Sequence, residues 1–175
     1  MKTKSVLIVC LCFFFISVNA QTNTQETADA VMSKAYAQAK KENKKVLLMF
    51  HASWCGWCKR MDANMEKPEV KPYFDKNFVI THLTVLEAKD KKHLENPGAM
   101  QMMEKYKGGN SGIPYWLIFN SKGKLLADSR DDAGQNLGCP ASEKEVSAFL
   151  KKLRKTTRIS AKERAAVSKA FIIKE

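Results

Sequence analysis

The sequence predicts an α/β protein in which helices cover both faces of a central mixed β-sheet. Short apolar runs typical of buried strands occupy residues 46–50 and 115–119. Segments with apolar residues at helical spacing alternate with these runs along the chain. A polar turn at residues 120–123 joins two strands into a hairpin, which adds an antiparallel pair to the sheet. Together these features indicate a layered fold with one core on each face of the sheet.

The first half of the chain contains three predicted helical segments and two strands. Residues 26–42 form an amphipathic helix, and its apolar face carries Ala28, Val31, Met32, Ala35 and Ala39. A strand at residues 46–50 leads into a helix over about 55–65. Pro68 then opens a short helical segment, and a second strand follows at residues 78–86.

The second half of the chain supplies the hairpin and three further helices. Asn96-Pro97 begins a helix, and the flexible loop 108–112 delivers Ile113-Pro114 to the strand at 115–119. The turn is followed by a strand at 124–129. Ser142 and Ser160 each precede a glutamate by three residues, and these capping boxes open two helices. The second helix falls within the basic segment 156–175, interpreted as a docked or frayed extension rather than a partner-binding helix.

The first 20 residues have the pattern of a secretory signal peptide. Lys2 and Lys4 precede an apolar run at residues 6–18, and small residues lead to a cleavage site near Ala20. The run is too short to span a bilayer comfortably. We therefore expect a periplasmic or secreted protein with no stable membrane insertion.

The amino-acid composition further narrows the classes of function that the chain can have. The chain of 175 residues has a formal net charge of +12, but its lysines are scattered and no arginine-and-aromatic stripe indicates nucleic-acid recognition. Of its five cysteines, two would leave with the signal peptide. The remaining Cys55, Cys58 and Cys139 are too few for a framework of disulfides. A single close pair of cysteines in an oxidising compartment is better explained as a functional pair than as a structural one.

The stretch Trp54-Cys55-Gly56-Trp57-Cys58 indicates the function of this cysteine pair. It directly follows a predicted buried strand and begins a helix. The unpaired N–H groups and the positive dipole end of a helix N-terminus stabilise a thiolate. Because thiolate is the nucleophile in disulfide exchange, the position of this pair indicates redox chemistry.

These motifs in this order resemble thioredoxin over roughly residues 26–155. The resemblance rests on the strand, the W-C-x-x-C sequence and its helix, Asn96-Pro97-Gly98, and Gly112-Ile113-Pro114 before the hairpin. The chain is more narrowly similar to exported single-domain thioredoxin-like proteins of bacteria with a Trp-Cys-Gly-Trp-Cys centre. The resemblance implies a thioredoxin-like domain at residues 21–155 and thiol:disulfide exchange with protein substrates.

The resemblance also assigns roles to individual residues. Cys55 would be the exposed attacking thiolate, and Cys58 the more buried thiol that resolves the mixed disulfide. Pro114 would be a cis-proline lying against the pair, and the backbone of Ile113 would hydrogen-bond an extended substrate. Substrate contacts would also come from the residues around the cysteines, namely Trp54, Gly56 and Trp57, with Trp57 expected to be exposed.

The chain departs from the family pattern in two places. Thioredoxins usually have a buried carboxylate six residues before the first cysteine, where this chain has Met49. His51 and His82 are the candidates for handling protons in its place, although each is more simply explained as an ordinary exposed or hydrogen-bonded histidine. The usual proline between the cysteines is replaced by Trp57, so the direction of net redox transfer is left open.

Other readings of the same residues remain. Cys55, Cys58 and His51 could hold Cu(I) or Zn²⁺ in an envelope metal-binding module, although one C-x-x-C gives only two firm ligands. A non-catalytic chaperone or adaptor could use the tryptophan-rich surface.

Exchange chemistry needs no organic cofactor or metal, only a separate redox partner that recycles the pair. Cys139 is best explained as a small apolar space-filler.

Overall fold

The computed structural model describes residues 25–173, so the predicted signal peptide lies outside the described residues. Within that range the elements are α1 (Ala28–Lys41), β1 (Lys45–His51), α2 (Gly56–Met65), α3 (Lys71–Asn77), β2 (Phe78–Thr84), α4 (Ala99–Lys105), β3 (Tyr115–Phe119), β4 (Leu125–Asp128), α5 (Glu143–Thr156) and α6 (Ala161–Phe171). A short 3₁₀ helix, Lys89–Leu94, lies between β2 and α4. No helix in this range is both long and apolar enough to cross a bilayer.

The four strands form one mixed sheet in the order β2-β1-β3-β4. β1 is central and pairs with β2 in parallel, Met49 lying opposite His82. β3 is antiparallel to both of its neighbours, β1 and β4. The predicted mixed sheet and hairpin are therefore confirmed.

Helices cover both faces of this sheet, as the sequence predicted. On one face α1 and α4 pack against β1 residues such as Val46 and Leu48. On the other face α2, α3, α5 and α6 pack against Leu47 and Met49. Because successive side chains of a strand point to opposite faces, a strand buried on both sides reads as a continuous apolar run. That is why residues 46–50 are all apolar and do not alternate with polar residues.

The helix starts follow local capping chemistry. Thr27 caps α1 by accepting a hydrogen bond from the N–H of Ala30. The predicted capping boxes of α5 and α6, at Ser142 and Ser160, are both present. These side chains satisfy N–H groups that have no partner inside the helix.

The stretch between β2 and α4 differs from the sequence prediction. β2 ends at Thr84 rather than at residue 86, and α4 begins at Ala99 rather than at Asn96. The Asn96 side chain accepts from the N–H of Thr84 and donates to the carbonyl of Glu26, so Asn96 closes the end of the strand instead of opening the helix. Gly98 precedes α4 with a φ of 84°, a left-handed conformation that favours glycine.

Candidate functional site

Cys55 and Cys58 lie where β1 passes through a tight turn into α2. The Cys55 N–H donates to the carbonyl of Ala52, and Cys55 is the N-cap of the helix. The two cysteines form a disulfide with Cα atoms 5.3 Å apart. The N–H of Cys58 donates to Cys55 Sγ at 3.1 Å. The first sulfur thus occupies the helix-terminal position that favours a thiolate.

The expected contrast in exposure between the two cysteines is wrong for this disulfide-bonded form. Cys55 is 2% exposed and Cys58 is 1% exposed. The bond holds each sulfur against the other, and Ala52 and Ile113 pack over the pair. What distinguishes the two residues is therefore their position on the helix rather than their solvent exposure.

The tryptophans beside the cysteines are among the most exposed large apolar side chains in residues 25–173. Trp54 is 58% exposed and Trp57 is 51% exposed, which confirms the predicted exposure of Trp57. Trp54 Nε1 donates to the carbonyl of Leu86 at 2.8 Å. The guanidinium of Arg60 lies 5.6 Å from the centre of the Trp57 ring. An exposed apolar rim of this kind is typical of a protein-binding surface.

Gly56, another predicted substrate contact, is the first residue of α2. A Cβ at Gly56 would meet no atom within 4 Å. The position is open to an approaching molecule, and packing of this chain does not require glycine there.

The loop before β3 reaches the cysteine pair from the other side. The Ile113–Pro114 peptide bond is cis, as the resemblance implied. The Ile113 side chain packs against Ala52, Cys55 and Cys58, while Pro114 is buried. The structure therefore brings together the cysteines and the loop that the sequence predicted to bind substrate.

Asn136 was not identified from the sequence, yet it holds this loop. Its side-chain amide donates to the carbonyls of Ser111 at 2.9 Å and Pro114 at 3.0 Å, and to that of Gly112 at 3.3 Å. It lies 22 residues from Pro114 in the chain. No motif surrounds it, so no signal in the sequence marked it.

Glu87 was also missed, and it supports the turn before Cys55. The side chain is 4% exposed, and its carboxylate accepts hydrogen bonds from both the N–H and the hydroxyl of Ser53. Burial alone would raise the pKa of Glu87. The two Ser53 hydrogen bonds, with the charges of Lys91 and His51, outweigh burial and lower that pKa.

The histidines predicted to handle protons lie together on the α2 side of the sheet. The rings of His51 and His82 are 5.0 Å apart, and His82 Nε2 lies 3.0 Å from an oxygen of Asp62. Burial, and then the neighbouring His82, lower the pKa of His51 despite the opposing influence of Asp62 and Glu87. Met49 is buried and carries no titratable group.

Cys139 is buried in the apolar core on the same face as α2 and α5. Burial is the main reason that its pKa is raised to about 11. A thiol with so high a pKa is a poor nucleophile at neutral pH. The structure thus supports the interpretation of Cys139 as a space-filling residue.

Potential metal ligands do not cluster in this part of the chain. Within residues 25–173 there is no group of three or more histidine, cysteine, aspartate or glutamate side chains arranged to hold a metal ion. A tetrahedral site needs four ligands, of which the protein usually supplies at least three.

Comparison with known proteins adds a family match. A family model described as Thioredoxin-like matches residues 27–121, just over half of the chain. No curated protein sequence matches the chain.

Several solved structures resemble the chain at low identity. A disulphide isomerase from Xylella fastidiosa Temecula1 is 23% identical, with 64% of this chain and 80% of that chain covered and a TM-score of 0.49. A thioredoxin from Thermus thermophilus is 18% identical, with 75% and 85% covered and a TM-score of 0.45. The C-terminal domain of DsbD from Neisseria meningitidis, in the oxidised form, is 24% identical, with 60% and 84% covered and a TM-score of 0.41.

Proposed function

This chain belongs to the thioredoxin-like family, and on that premise we propose that it is a thiol:disulfide oxidoreductase acting on protein substrates. The observation that carries the proposal is the disulfide between Cys55 and Cys58 at the N-terminus of α2, beside an exposed tryptophan rim. The pair itself is the redox group, so the reaction uses no organic cofactor or metal. A separate redox partner must recycle it.

The reducing direction begins with the dithiol form of the enzyme. The thiolate of Cys55 attacks one sulfur of a substrate disulfide, forming a mixed disulfide and releasing the other substrate sulfur as a thiolate that takes up a proton. The thiol of Cys58 then loses its proton and attacks Cys55 Sγ. The second substrate sulfur leaves and is protonated. The substrate gains two electrons and two protons, and the enzyme is left with the Cys55–Cys58 disulfide.

The local geometry favours Cys55 as the attacking residue. Cys55 Sγ accepts a hydrogen bond from the N–H of Cys58 at the start of α2, and the same N–H would stabilise a thiolate on Cys55 after reduction. Cys58 lies within the helix and has no comparable N-terminal position. Run backwards, the same two steps oxidise a substrate dithiol.

Substrate binding is proposed to use the rim and the loop around the disulfide. The exposed rings of Trp54 and Trp57 would contact apolar side chains that a loosely folded protein leaves uncovered. The backbone of Ile113 would pair with an extended substrate segment as an added strand.

The central test replaces each cysteine in turn. Cys55→Ser should abolish reduction of insulin disulfides, because the attacking thiolate is gone. Cys58→Ser should instead accumulate mixed disulfides with substrate, visible on non-reducing gels. Cys139→Ser is the matched control and should keep wild-type activity, since Cys139 is buried in the core. Full activity in Cys55→Ser, or metal retained stoichiometrically by a wild type without exchange activity, would overturn the proposal.

Proton transfer to and from Cys58 is proposed to involve the pair His51 and His82. They flank the strand position where the family's carboxylate is replaced by Met49, and His82 is hydrogen-bonded to Asp62, one helical turn beyond Cys58. The lowered pKa of His51 leaves it neutral at pH 7 and able to accept a proton.

The pH dependence of single-turnover insulin reduction tests this role. Because the pKa of His51 is lowered from the ordinary histidine value of about 6.5, protonation of His51 should add to the fall in the wild-type rate only at pH values below that ordinary value. His51→Gln should remove that added dependence. His93→Gln, at an exposed histidine on the 3₁₀ helix, is the control. Identical pH profiles for His51→Gln and the wild type would contradict the role.

Export also belongs to the proposal, and the sequence of residues 1–20 supports it. An oxidising periplasmic or extracellular environment would suit a protein whose function depends on one close cysteine pair. N-terminal sequencing of the exported protein should find a mature chain beginning near Gln21.

A further inference from the structure

We propose that Asn136 is a positioning residue that fixes the loop 111–114 so that the backbone of Ile113 is held ready to pair with an extended substrate. This inference rests on the proposed function. It adds a residue that the sequence motifs do not include and that does not itself touch the reacting sulfurs.

The side chain of Asn136 uses both of its ends to join two separate segments. Its amide group has two hydrogens, which are shared among the carbonyls of Ser111, Gly112 and Pro114. Its oxygen accepts a hydrogen bond from the N–H of Gly138 at 3.1 Å. One half-buried amide therefore ties the loop before β3 to the segment after β4.

The hydrogen bonds of Asn136 leave the backbone of Ile113 free. Asn136 engages carbonyls on both sides of Ile113, but within residues 25–173 neither the N–H nor the carbonyl of Ile113 has a hydrogen-bond partner. The side chain of Ile113 meanwhile packs against the cysteine pair. The free donor and acceptor of Ile113 thus lie next to the disulfide, where an added substrate strand would bring its own disulfide or thiol.

Asn136 is itself held firmly. Its backbone forms an isolated bridge with Arg130, and the N–H of the next residue, Leu137, donates to the carbonyl of Ser129 at 2.8 Å. The Trp116 ring nitrogen donates to the carbonyl of Gly138 at 3.0 Å. Because the loop is already held by Asn136, it loses less conformational entropy when substrate binds. This improves affinity without a new contact to substrate.

The experiment compares Asn136→Ala with Gln135→Ala, its exposed neighbour on the same loop. Two substrates are used, insulin, which has a backbone to pair with Ile113, and hydroxyethyl disulfide, which has none. Asn136→Ala should raise KM for insulin about tenfold, as expected from the loss of one or two hydrogen bonds, while kcat stays within about twofold. Turnover of hydroxyethyl disulfide and the reduction potential of the cysteine pair should match the wild type, and Gln135→Ala should match it throughout.

Other results would contradict either the proposed function or the role of Asn136. An inactive wild type defeats the proposed function, and this inference with it. An active wild type combined with an unchanged insulin KM in Asn136→Ala defeats this inference alone. Equal losses on both substrates would also overturn it. Asn136→Ser and Asn136→Asp are measured in parallel, and failure of all three variants to fold would assign Asn136 a purely structural role and overturn the proposal.

Discussion

At the scale of single residues, the most informative side chain outside the cysteine motif is the buried carboxylate Glu87. It accepts two hydrogen bonds from Ser53, two residues before Cys55, and its own N–H donates to Glu95. The adjacent carbonyl of Leu86 holds the Trp54 ring. The segment after β2 therefore supports the turn that presents the cysteine pair.

Replacing Glu87 with Gln should destabilise the protein in a pH-dependent way. Hydrogen bonds to a charged group contribute about 2 kcal/mol, so we expect a loss of that order in the free energy of unfolding near pH 7. Because the pKa of Glu87 is lower in the folded than in the unfolded state, the stabilisation is present above the unfolded pKa of about 4.3. It is lost as the pH falls through the folded pKa.

Urea unfolding at several pH values checks this expectation. The difference in unfolding free energy between the wild type and Glu87→Gln should be largest at pH 6–8 and should shrink below about pH 4.5. Asp90→Asn removes a negative charge from an exposed residue nearby and should stay within about 0.5 kcal/mol of the wild type. A difference that stays constant with pH would contradict the role of the charge.

The contrast between predicted and missed site residues has a physical origin. Cys55, Cys58, Ile113 and Pro114 stand in two short local motifs, W-C-x-x-C and Gly-Ile-Pro, and the resemblance to thioredoxin that these motifs carry identified them. Glu87 acts across 34 residues of sequence. Asn136 likewise acts across 22 to 25 residues. Single polar residues with distant partners leave no periodic or local signature, and only the packed fold reveals them.

At the scale of elements, burial patterns made most of the fold predictable. Apolar runs located the buried strands, and serine–glutamate pairs located the starts of α5 and α6. The 3₁₀ helix Lys89–Leu94 escaped prediction because it has no buried residue, and therefore no apolar periodicity. The end of β2 was misplaced because the following residues, Val85 and Leu86, are apolar although they lie beyond the strand, where only the N–H of Val85 still bonds to β1, at the carbonyl of His51. Leu86 has a φ of 55° there.

At the scale of the whole molecule, α6 is packed into the core on the α2 face. Val167, Ala170 and Phe171 are buried in the same cluster as residues of α2, α3 and α5. Lys67, just beyond α2, donates to the carbonyl of Ala170, and the N–H of Ile173 donates to that of Ala141. The last helix thus contacts the element that carries the cysteines as well as the one that precedes it in the chain.

This packing predicts that α6 unfolds together with the rest of the chain. The Phe171 ring is 1% exposed, and its centre lies 5.3 Å from that of Phe149 on α5. Phe171→Ala should therefore leave a cavity and lower the free energy of unfolding by about 3–5 kcal/mol. The reduction potential of the cysteine pair should not change, because the disulfide contacts other residues.

Denaturant unfolding followed by both circular dichroism and tryptophan fluorescence measures this effect. Ile173→Ala is the control, since Ile173 is 38% exposed and its truncation should cost less than about 0.5 kcal/mol. Fluorescence reports the surroundings of the tryptophans, which are Trp116 in the core and the exposed Trp54 and Trp57, and circular dichroism reports the helices. Coincident transitions in the wild type would therefore show one cooperative unit. A loss below about 1 kcal/mol in Phe171→Ala, or a separate early transition of helical signal in the wild type, would mean that α6 contributes little to the stability of the fold that carries the disulfide.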